Sequence, residues 1–577
     1  MSRTWLGCVI ALALAACTPD GGAPPETPTA PASAKSPAPG FYGTTEPFAE
    51  NAVYFVVTDR FVNGDRSNDQ RDQGGPHPSF DIPVECPDGI DGNVGYLGGD
   101  FKGILDNAGY IRDMGFTAVW ITPIVDNPGQ AFTGGDAISC GSSLTDRGKA
   151  AYHGYWGMNF YRLDEHLPSE GLDFSAFTAA MKESGLKTVL DVVANHSSPA
   201  YTMPERQPGF GQVFDAGGAL VADHQNLPPA ELDPANEALH RFYATKPDLA
   251  QLGDFDPQNL EVMDYLVGAY LQWIGQGADA FRIDTIRHMP HPFWKEFSDR
   301  IRAEHPGFFM FAEAFDYDAA EIAAHTLPEN GGVSVLDFPM KEAMQKVFAE
   351  GADFSLLADA LHLQAGPYAN PYELATFYDN HDMPRMDAAD EGFIDAHNWL
   401  FTARGIPVVY YGSEIGFMRG RGEHAGNRNY FGQARVDAAA AHPIHAALTR
   451  IAHVRRQSPA LQKGLQLNLR LQGDEAAFYR VHDDGGSAQI ALVLLNKGDA
   501  ARTMEVTEFL QPGDWRDGFD GTVQAVKERL VAEVPAHGVR VFLLDAAPRR
   551  RDLRARLSEL MPRGAGAVGA SGSADPG

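Results

Sequence analysis

Basic residues are scarce in this 577-residue sequence: 46 Lys and Arg stand against 76 Asp and Glu, which gives a net charge of −30. This deficit argues against nucleic acid or an anionic membrane surface as a partner. It fits a neutral ligand or bound cations, and it fits equally an acidic surface that serves solubility alone. The 44% hydrophobic content is that of an ordinary globular protein, and the length predicts more than one domain.

The apolar run near the N-terminus, Trp5–Leu14, is too short to cross a membrane as a helix. It follows Arg3 and precedes small residues, so it predicts an export signal. Leu14-Ala15-Ala16-Cys17 is similar to a bacterial lipoprotein cleavage box. We therefore predict a lipoprotein signal peptide over residues 1–17, with Cys17 lipidated and the protein anchored in the bacterial envelope, at the periplasm or the cell surface. Ala13-Leu14-Ala15 leaves an ordinary secretory signal open as the alternative.

Cysteine is also scarce, with four residues in all. Cys8 and Cys17 belong to the signal region, which leaves Cys86 and Cys140. In an exported protein this pair suggests one disulfide, with two free buried thiols as the alternative. Composition predicts a disordered tether over residues 18–45, rich in Pro, Ala, Ser and Thr, and a disordered tail over 547–577, rich in Arg and then in Gly, Ala and Ser.

No glycine-rich phosphate loop follows the first strand-like run, where Thr58-Asp59-Arg60-Phe61 stands instead, and this disfavours an open doubly wound sheet. Eight apolar runs alternate with amphipathic stretches such as Phe174–Glu183, which predicts parallel βα units. We predict an α/β fold, a (β/α)8 TIM barrel over 46–457 with an inserted subdomain at about 197–253, and then a C-terminal antiparallel β-sandwich over 458–546. The eight runs are Val53–Val57, Thr117–Ile121, Lys187–Leu190, Ala280–Ile283, Phe308–Ala312, Val333–Leu336, Leu374–Phe377 and Pro407–Tyr411.

Polar residues follow several of these strands, at the end where a barrel builds its active site. Arg282 and Asp284 lie two apart at the fourth strand, so their side chains point to the same side. Glu313 follows the fifth strand and His381-Asp382 the seventh. Each residue alone has a plain structural explanation, such as a helix cap or a buried core histidine. Together, and in this order, they predict one site.

These segments resemble the four short signature segments of the α-amylase family of glycoside hydrolases. The resemblance covers about residues 53–544, and Tyr152-His153-Gly154-Tyr155-Trp156 is closest to fungal-type α-amylases and cyclodextrin glucanotransferases. It implies Asp284 as nucleophile, Glu313 as acid/base and Asp382 as the third acid. Retention of configuration needs an ionised and a protonated carboxyl about 5–5.5 Å apart. Arg282 is placed to favour the Asp284 carboxylate, and apolar neighbours could raise the pKa of Glu313.

The resemblance also implies residues that bind substrate or metal. Substrate contacts are implied for His153, Tyr155, His196, Arg282, His288, Phe315, His381 and Arg428. One Ca²⁺ site is implied at Asn195, Asp254 and the backbone carbonyl of His288, and a second at Asn63, Asp65, Asn68, Asp69, Gly98 and Asp100. Oxygen ligands of these kinds suit Ca²⁺. An Asx-rich turn without metal is the alternative for the second site.

Two departures from the glucanotransferase pattern favour hydrolysis. His424 stands where that branch has an Asp that binds a distant donor sugar, and no starch-binding module follows the β domain. Phe315, which matches an acceptor-side aromatic, leaves transfer to sugars open. We therefore expect a retaining, endo-acting α-1,4-glucan hydrolase on starch or maltodextrins, with a transglycosylase or a non-catalytic sugar-binding protein as alternatives. We expect no nucleic-acid partner, membrane contact only through the lipid anchor, and a monomer.

Overall fold

The computed structural model describes residues 40–73, 75–364 and 366–561, and its centre is a ring of eight parallel strands. Their order is β6-β5-β4-β3-β2-β1-β8-β7, and a parallel bridge between Leu336 and Ala375 joins the two ends of this order. The TIM barrel and all eight predicted strands are thus confirmed. The strands are β1 (Val53–Val56), β2 (Ala118–Ile121), β3 (Lys187–Val192), β4 (Ala280–Ile283), β5 (Phe309–Ala312), β6 (Ser334–Val335), β7 (Ala375–Thr376) and β8 (Ile406–Tyr410).

The barrel forms because its strands are apolar runs buried on both faces, which amphipathic helices cover from outside. Side chains cap several of these helices. Asp173 accepts a hydrogen bond from the Ala176 N–H, and Asn259 accepts one from the Glu261 N–H. The longer covering helices are Phe174–Glu183, Leu260–Gly275, His291–Glu304, Asp390–Leu400 and Pro443–Arg456.

Two insertions stand above the carboxyl ends of the strands. In the first, after β2, Val125–Asp126 pairs with Asn159–Leu163. The expected disulfide forms, and it links Cys140 of this insertion to Cys86 of the segment between β1 and β2. The second is the predicted subdomain after β3. It consists of two small antiparallel pairs, His196–Pro199 with Leu252–Asp254 and Gln212–Phe214 with Leu220–Asp223. Both insertions therefore begin and end beside strand ends of the barrel.

The C-terminal domain is antiparallel, with a six-stranded sheet and a two-stranded sheet that share one buried core. The alternating pattern of the sequence predicts strands at 465–471, 476–482, 489–496, from 505 onward and at 539–544. The structure has the corresponding strands at Leu465–Gln472, Glu475–Asp483, Ala488–Asn496, Arg502–Val506 and Gly538–Leu544. Three others were missed because their alternation of apolar and polar residues is weak: Gly513–Asp517, Val523–Val526 and Leu530–Val534.

Two predictions of disorder are wrong in part. The tether was expected to reach residue 45, but the buried Tyr42 pairs with Asp483 of the β domain, so the chain is already ordered there. The tail was expected from residue 547, but Arg551–Glu559 is a helix. Its Leu553 and Leu557 are fully buried, and this helical spacing was hidden by the arginines around it.

The predicted signal peptide, the lipidation site Cys17 and most of the tether lie outside the described residues, as do residues 562–577. Within the described residues, no helix has the length and apolar character needed to cross a membrane.

Candidate active site

Arg282 is the residue on which the site is built. It is fully buried on β4 and contacts three carboxylates. Its Nη1 donates to Asp191 Oδ1 at 2.8 Å and to Asp284 Oδ1 at 2.8 Å, and its Nη2 donates to Glu313 Oε2 at 2.6 Å. Because one guanidinium bridges Asp284 and Glu313, their bonded oxygens are at most about 8 Å apart. The two acids therefore face the same space.

The register of the barrel explains this convergence. Arg282 lies opposite Asp191 of β3, and the Asp284 N–H continues the ladder by donating to the Val192 carbonyl at 2.9 Å. On the other side, the Glu313 N–H donates to the Ile283 carbonyl at 2.8 Å. Three neighbouring parallel strands thus deliver one carboxylate each to the same edge of the ring.

A cavity of about 520 Å³ opens above this edge. Asp284, Glu313 and Asp382 all line it. So do the predicted substrate-binding residues His153, Tyr155, His196, His288, Phe315, His381 and Arg428. Arg282 lies beneath the lining and reaches the cavity only through the acids that it holds. The sequence therefore identified about half of the residues that line this cleft.

The surroundings of Glu313 and Asp382 raise the pKa values of both acids. Burial raises the pKa of Glu313 to about 8, with the charges of Asp382 and Asp284 acting in the same direction and Arg282 against it. Glu313 is thus protonated at neutral pH, as a general acid must be. Burial also raises the pKa of Asp382, while Arg428, whose Nη2 lies 2.6 Å from Asp382 Oδ1, opposes this.

Three histidines of the cleft, His153, His196 and His381, are uncharged at neutral pH. Burial lowers the pKa of His196 to about 4 and takes the pKa values of His153 and His381 well below the usual range. Nearby cations, Lys149 at His153 and Arg428 at both, act in the same direction. Neutral imidazoles can exchange hydrogen bonds with sugar hydroxyls without adding a buried charge.

Two aromatic residues occupy the cleft in different ways. Tyr155 donates its hydroxyl hydrogen to Asp191 Oδ2 at 2.7 Å and stacks on His381, with ring centroids 5.3 Å apart. Phe315 remains 45% exposed and packs against Phe338. Tyr155 is thus fixed as a platform, whereas the Phe315 ring is available to a ligand.

The sequence placed Asp191 at the end of the third strand but gave it no role in the site. This fully buried carboxylate also accepts from Trp120 Nε1 at 3.0 Å, so it fixes both Arg282 and Tyr155. Its position at the head of Asp191-Val192-Val193-Ala194-Asn195-His196 was the available signal. An acid at the end of a buried strand needs a partner, and Arg282 on the next strand provides one.

The ionic group at one end of the cleft was also missed. Lys149 Nζ lies 2.8 Å from Asp146 Oδ1 and 3.1 Å from Glu423 Oε1, and Arg428 Nη1 lies 3.3 Å from the same Glu423 oxygen. Lys149, Glu423 and Arg428 are all nearly buried, and Lys149 comes from the disulfide-linked insertion. The buried His424 lies beside this group, and its Nε2 is 3.1 Å from the Thr145 carbonyl oxygen.

The residues predicted to form the first calcium site lie close together. The Phe255 N–H donates to the Asn195 carbonyl, which places Asp254 beside Asn195. Asp254 Oδ2 accepts from the Asp248 N–H, and Asp248 in turn contacts His288 at 2.8 Å. Asp254 Oδ1 is buried and has no hydrogen-bond partner among the described residues. A buried carboxylate oxygen without a donor fits a cation ligand.

The second predicted site is likewise assembled. Asp100 accepts from the Gly64 and Asp65 N–H groups and from Asn68 Nδ2, and Asn63 Nδ2 donates to Asp69 Oδ1 at 2.6 Å. The amide oxygens of Asn63 and Asn68 are buried and lack a donor in the part of the chain that the structure describes. A Cβ added at Gly98 would lie 2.2 Å from Asn63 Nδ2 and 2.4 Å from Asp69 Oδ1, so only glycine fits there.

Comparisons with known proteins agree with this geometry. The family model described as the α-amylase catalytic domain matches residues 55–208 and 234–457. A cyclomaltodextrin glucanotransferase of Geobacillus stearothermophilus is 29% identical over 473 residues, 79% of this chain and 60% of that protein. An α-amylase of Niallia circulans is 27% identical over 512 residues, 86% of this chain and 88% of that protein.

A solved structure described as a cyclomaltodextrin glucanotransferase with a three-domain ABC distribution is also similar, with 29% identity and a TM-score of 0.68. The match covers 86% of this chain and 99% of that one. The chain thus spans about 60% of the Geobacillus stearothermophilus relative but nearly all of the three-domain one. Because the catalytic-domain model matches more than half of its residues, the chain belongs to the α-amylase family of glycoside hydrolases.

Proposed function

We propose that this protein is a retaining, endo-acting α-1,4-glucan hydrolase of the α-amylase type, active on starch and maltodextrins. The observation that carries the proposal is the pair formed by Asp284 and Glu313. Both acids are bonded to Arg282 at the wall of one cavity, while burial raises the pKa of Glu313 to about 8. A retaining glycosidase needs such a pair, with one carboxyl protonated beside a second one that acts as nucleophile.

In the proposed mechanism, Glu313 gives its proton to the glycosidic oxygen while Asp284 attacks the anomeric carbon. The C–O bond to the leaving sugar breaks, and a covalent glycosyl-enzyme forms on Asp284. Glu313, now a carboxylate, then takes a proton from water, whose oxygen displaces Asp284 and restores the starting state. Asp382 and the neutral histidines bind the hydroxyls of the sugar, and Tyr155 offers its ring to the sugar face.

A transglycosylase remains the second candidate, because Phe315 leaves an exposed ring in the cleft where an acceptor sugar could stack. Two of the similar proteins reported above are glucanotransferases, and one of them has three domains, so length does not separate the activities. Both reactions share the glycosyl-enzyme, and they differ in whether water or a sugar hydroxyl arrives second.

Product analysis on soluble starch separates these functions. We expect linear maltooligosaccharides, with the α-anomer formed first as followed by NMR. Predominantly cyclic or rearranged glucans would establish a transglycosylase instead. Binding of maltooligosaccharides without any new reducing end would identify a non-catalytic sugar-binding protein, and first release of the β-anomer would refute retention.

We further propose Ca²⁺ at two places, one held by Asn195, Asp254 and the His288 carbonyl and one by Asn63, Asp65, Asn68, Asp69, Gly98 and Asp100. The donor-free oxygens of Asp254, Asn63 and Asn68 support this assignment. The ions would neutralise buried carboxylates and join loops to the barrel. Excess chelator should lower the melting temperature, and added Ca²⁺ should restore it, because a ligand bound only by the folded state stabilises that state. An unchanged melting temperature would count against both sites.

Export and lipidation at Cys17 are also proposals. The apolar run, the cleavage box and the Cys86–Cys140 disulfide support an oxidising compartment. Mass spectrometry of the mature protein should find an acylated cysteine at its N-terminus. An unmodified N-terminus after Ala15 would instead support a secretory signal.

A further inference from the structure

A third group of carboxylates lies outside both proposed calcium sites. Asp126, Asp164 and Glu165 come together where the short strand pair of the first insertion begins and ends. One ligand atom from each can be chosen so that all lie within 4.8 Å of one another. Asp126 and Asp164 are nearly fully buried, so water cannot solvate their charges and other groups must stabilise them.

The three acids differ in how well protein groups satisfy them. Asp164 is well paired: His166 Nδ1 lies 2.7 Å from its Oδ1, and the Asn127 N–H donates to its Oδ2 at 3.2 Å. Asp126 is 2% exposed, and its Oδ1 has no hydrogen-bond partner within the described ranges. Its Oδ2 lies 3.7 Å from Nη1 of Arg162, whose side chain is 64% exposed, and the Asp126 carboxyl also shares a hydrogen bond with Glu165.

A buried carboxylate oxygen with no donor, next to two further carboxylates, needs either a proton or a cation. Burial and the neighbouring Asp164 raise the pKa of Asp126 to about 7, so a bound proton is one way to neutralise it. Above neutral pH, however, that proton is lost while the three acids stay together. Carboxylate oxygens that close suit a hard divalent cation.

We propose that Asp126, Asp164 and Glu165 bind a divalent cation of the Ca²⁺ type. The ion would tie together the two ends of the segment that carries His153 and Tyr155. The surrounding contacts fit this role, because the Met158 N–H donates to the Asp126 carbonyl at 2.8 Å and the Trp156 N–H donates to Asn127 Oδ1 at 3.0 Å. Cation binding here would fix the position of the segment that carries His153 and Tyr155, which form part of the wall of the cleft. The three proposed ligands themselves do not line the cavity.

The test compares the purified mature protein with Asp126→Asn, which keeps the shape of the side chain and removes its charge. After chelation and equilibrium dialysis against buffered Ca²⁺, elemental analysis should find one bound ion fewer per chain in the variant. Asp113→Asn, at an exposed position, is the matched control and should bind as many ions as the parent. Equal counts in the parent and Asp126→Asn would overturn the proposal whatever the other two sites bind.

A second measurement serves if Asp126→Asn folds poorly. Glu165 is only partly buried, so Glu165→Gln removes a ligand at smaller structural risk. The number of ions bound per chain is then measured against free Ca²⁺ for the chelated parent and for Glu165→Gln. One of the bound ions should need at least tenfold more free Ca²⁺ in Glu165→Gln than in the parent, because one of its ligands has lost its charge. Superimposable binding curves would overturn the proposal.

Discussion

Replacing Asp191 with Asn tests whether the buried Arg282 organises the catalytic acids. Asp191 accepts two hydrogen bonds from Arg282 Nη1, at 2.8 and 3.0 Å, and both side chains are fully buried. Asn has the same shape but no charge. Its amide nitrogen, which cannot accept a hydrogen bond, would have to face Arg282 or Tyr155, both of which now donate to Asp191. Breaking a buried ion pair costs about 3–5 kcal/mol. Since Arg282 keeps its hydrogen bonds to Asp284 and Glu313, we expect the free energy of unfolding to fall by about 3 kcal/mol, the lower end of this range.

The same change should alter catalysis in a way that instability alone does not. The Asp191 charge is one of those that raise the pKa of Glu313, so its removal should lower that pKa. The pH at which kcat/KM falls on the alkaline side should therefore move down. Looser placement of Arg282 should also reduce kcat, by about 100-fold if the acids shift by 1 Å.

The assay is a denaturant titration together with a pH profile of maltooligosaccharide hydrolysis. The matched control is Asp337→Asn, because Asp337 forms an equally buried pair with Arg404 at 2.5 Å, away from the cleft. The control should lose a comparable free energy of unfolding, while its kcat/KM should fall at the same alkaline pH as that of the parent. The role given to Arg282 would be wrong if Asp191→Asn kept the parent's stability and the parent's alkaline fall of kcat/KM. It would also be wrong if the control shifted the pH of that fall as much as Asp191→Asn does.

Three further predictions concern the acids and the disulfide. Asp284→Asn should abolish turnover and leave maltooligosaccharide binding by calorimetry nearly unchanged; retained turnover would show that another carboxylate is the nucleophile. The parent should lose activity above about pH 8, because Glu313 must be protonated to act as an acid. The pH–activity profile of Glu313→Gln should lack this alkaline fall. A fall of the parent's activity at a pH far from 8 would contradict the assignment. Replacing Cys86 and Cys140 with Ser opens a link across 54 positions and should cost about 4 kcal/mol in denaturant unfolding, whereas an unchanged midpoint would mean that the bond adds no stability.

Several features of the fold were predictable because they depend on local pattern. The strands of the barrel are continuous apolar runs, and the period of the intervening stretches predicts helices, so the order of elements follows from burial requirements. Where the local pattern was weak, prediction failed. Val523–Val526 has a mostly exposed strand surface, and the helix Arg551–Glu559 carries only a narrow apolar stripe among charged residues.

Part of the site could also be predicted, since acids that follow strands of a barrel meet at one rim. Asp284 and Glu313 were identified in this way. Other contacts across the rim were not predicted, because they join residues far apart in the chain. Lys149 and Glu423, 274 positions apart, form an ion pair that no spacing rule indicates.

The sequence by itself determined the ring of strands, because the ring depends on residue type and on order along the chain. Its resemblance to a known family pointed to the candidate acids and metal ligands. Only the tertiary structure decided how charge is shared among them. Arg282 bonds Asp191, Asp284 and Glu313 together, and Asp126 is left with an oxygen that no donor reaches. Protonation states and cation sites depend on burial and on distances between distant segments, and those quantities exist only in the folded chain.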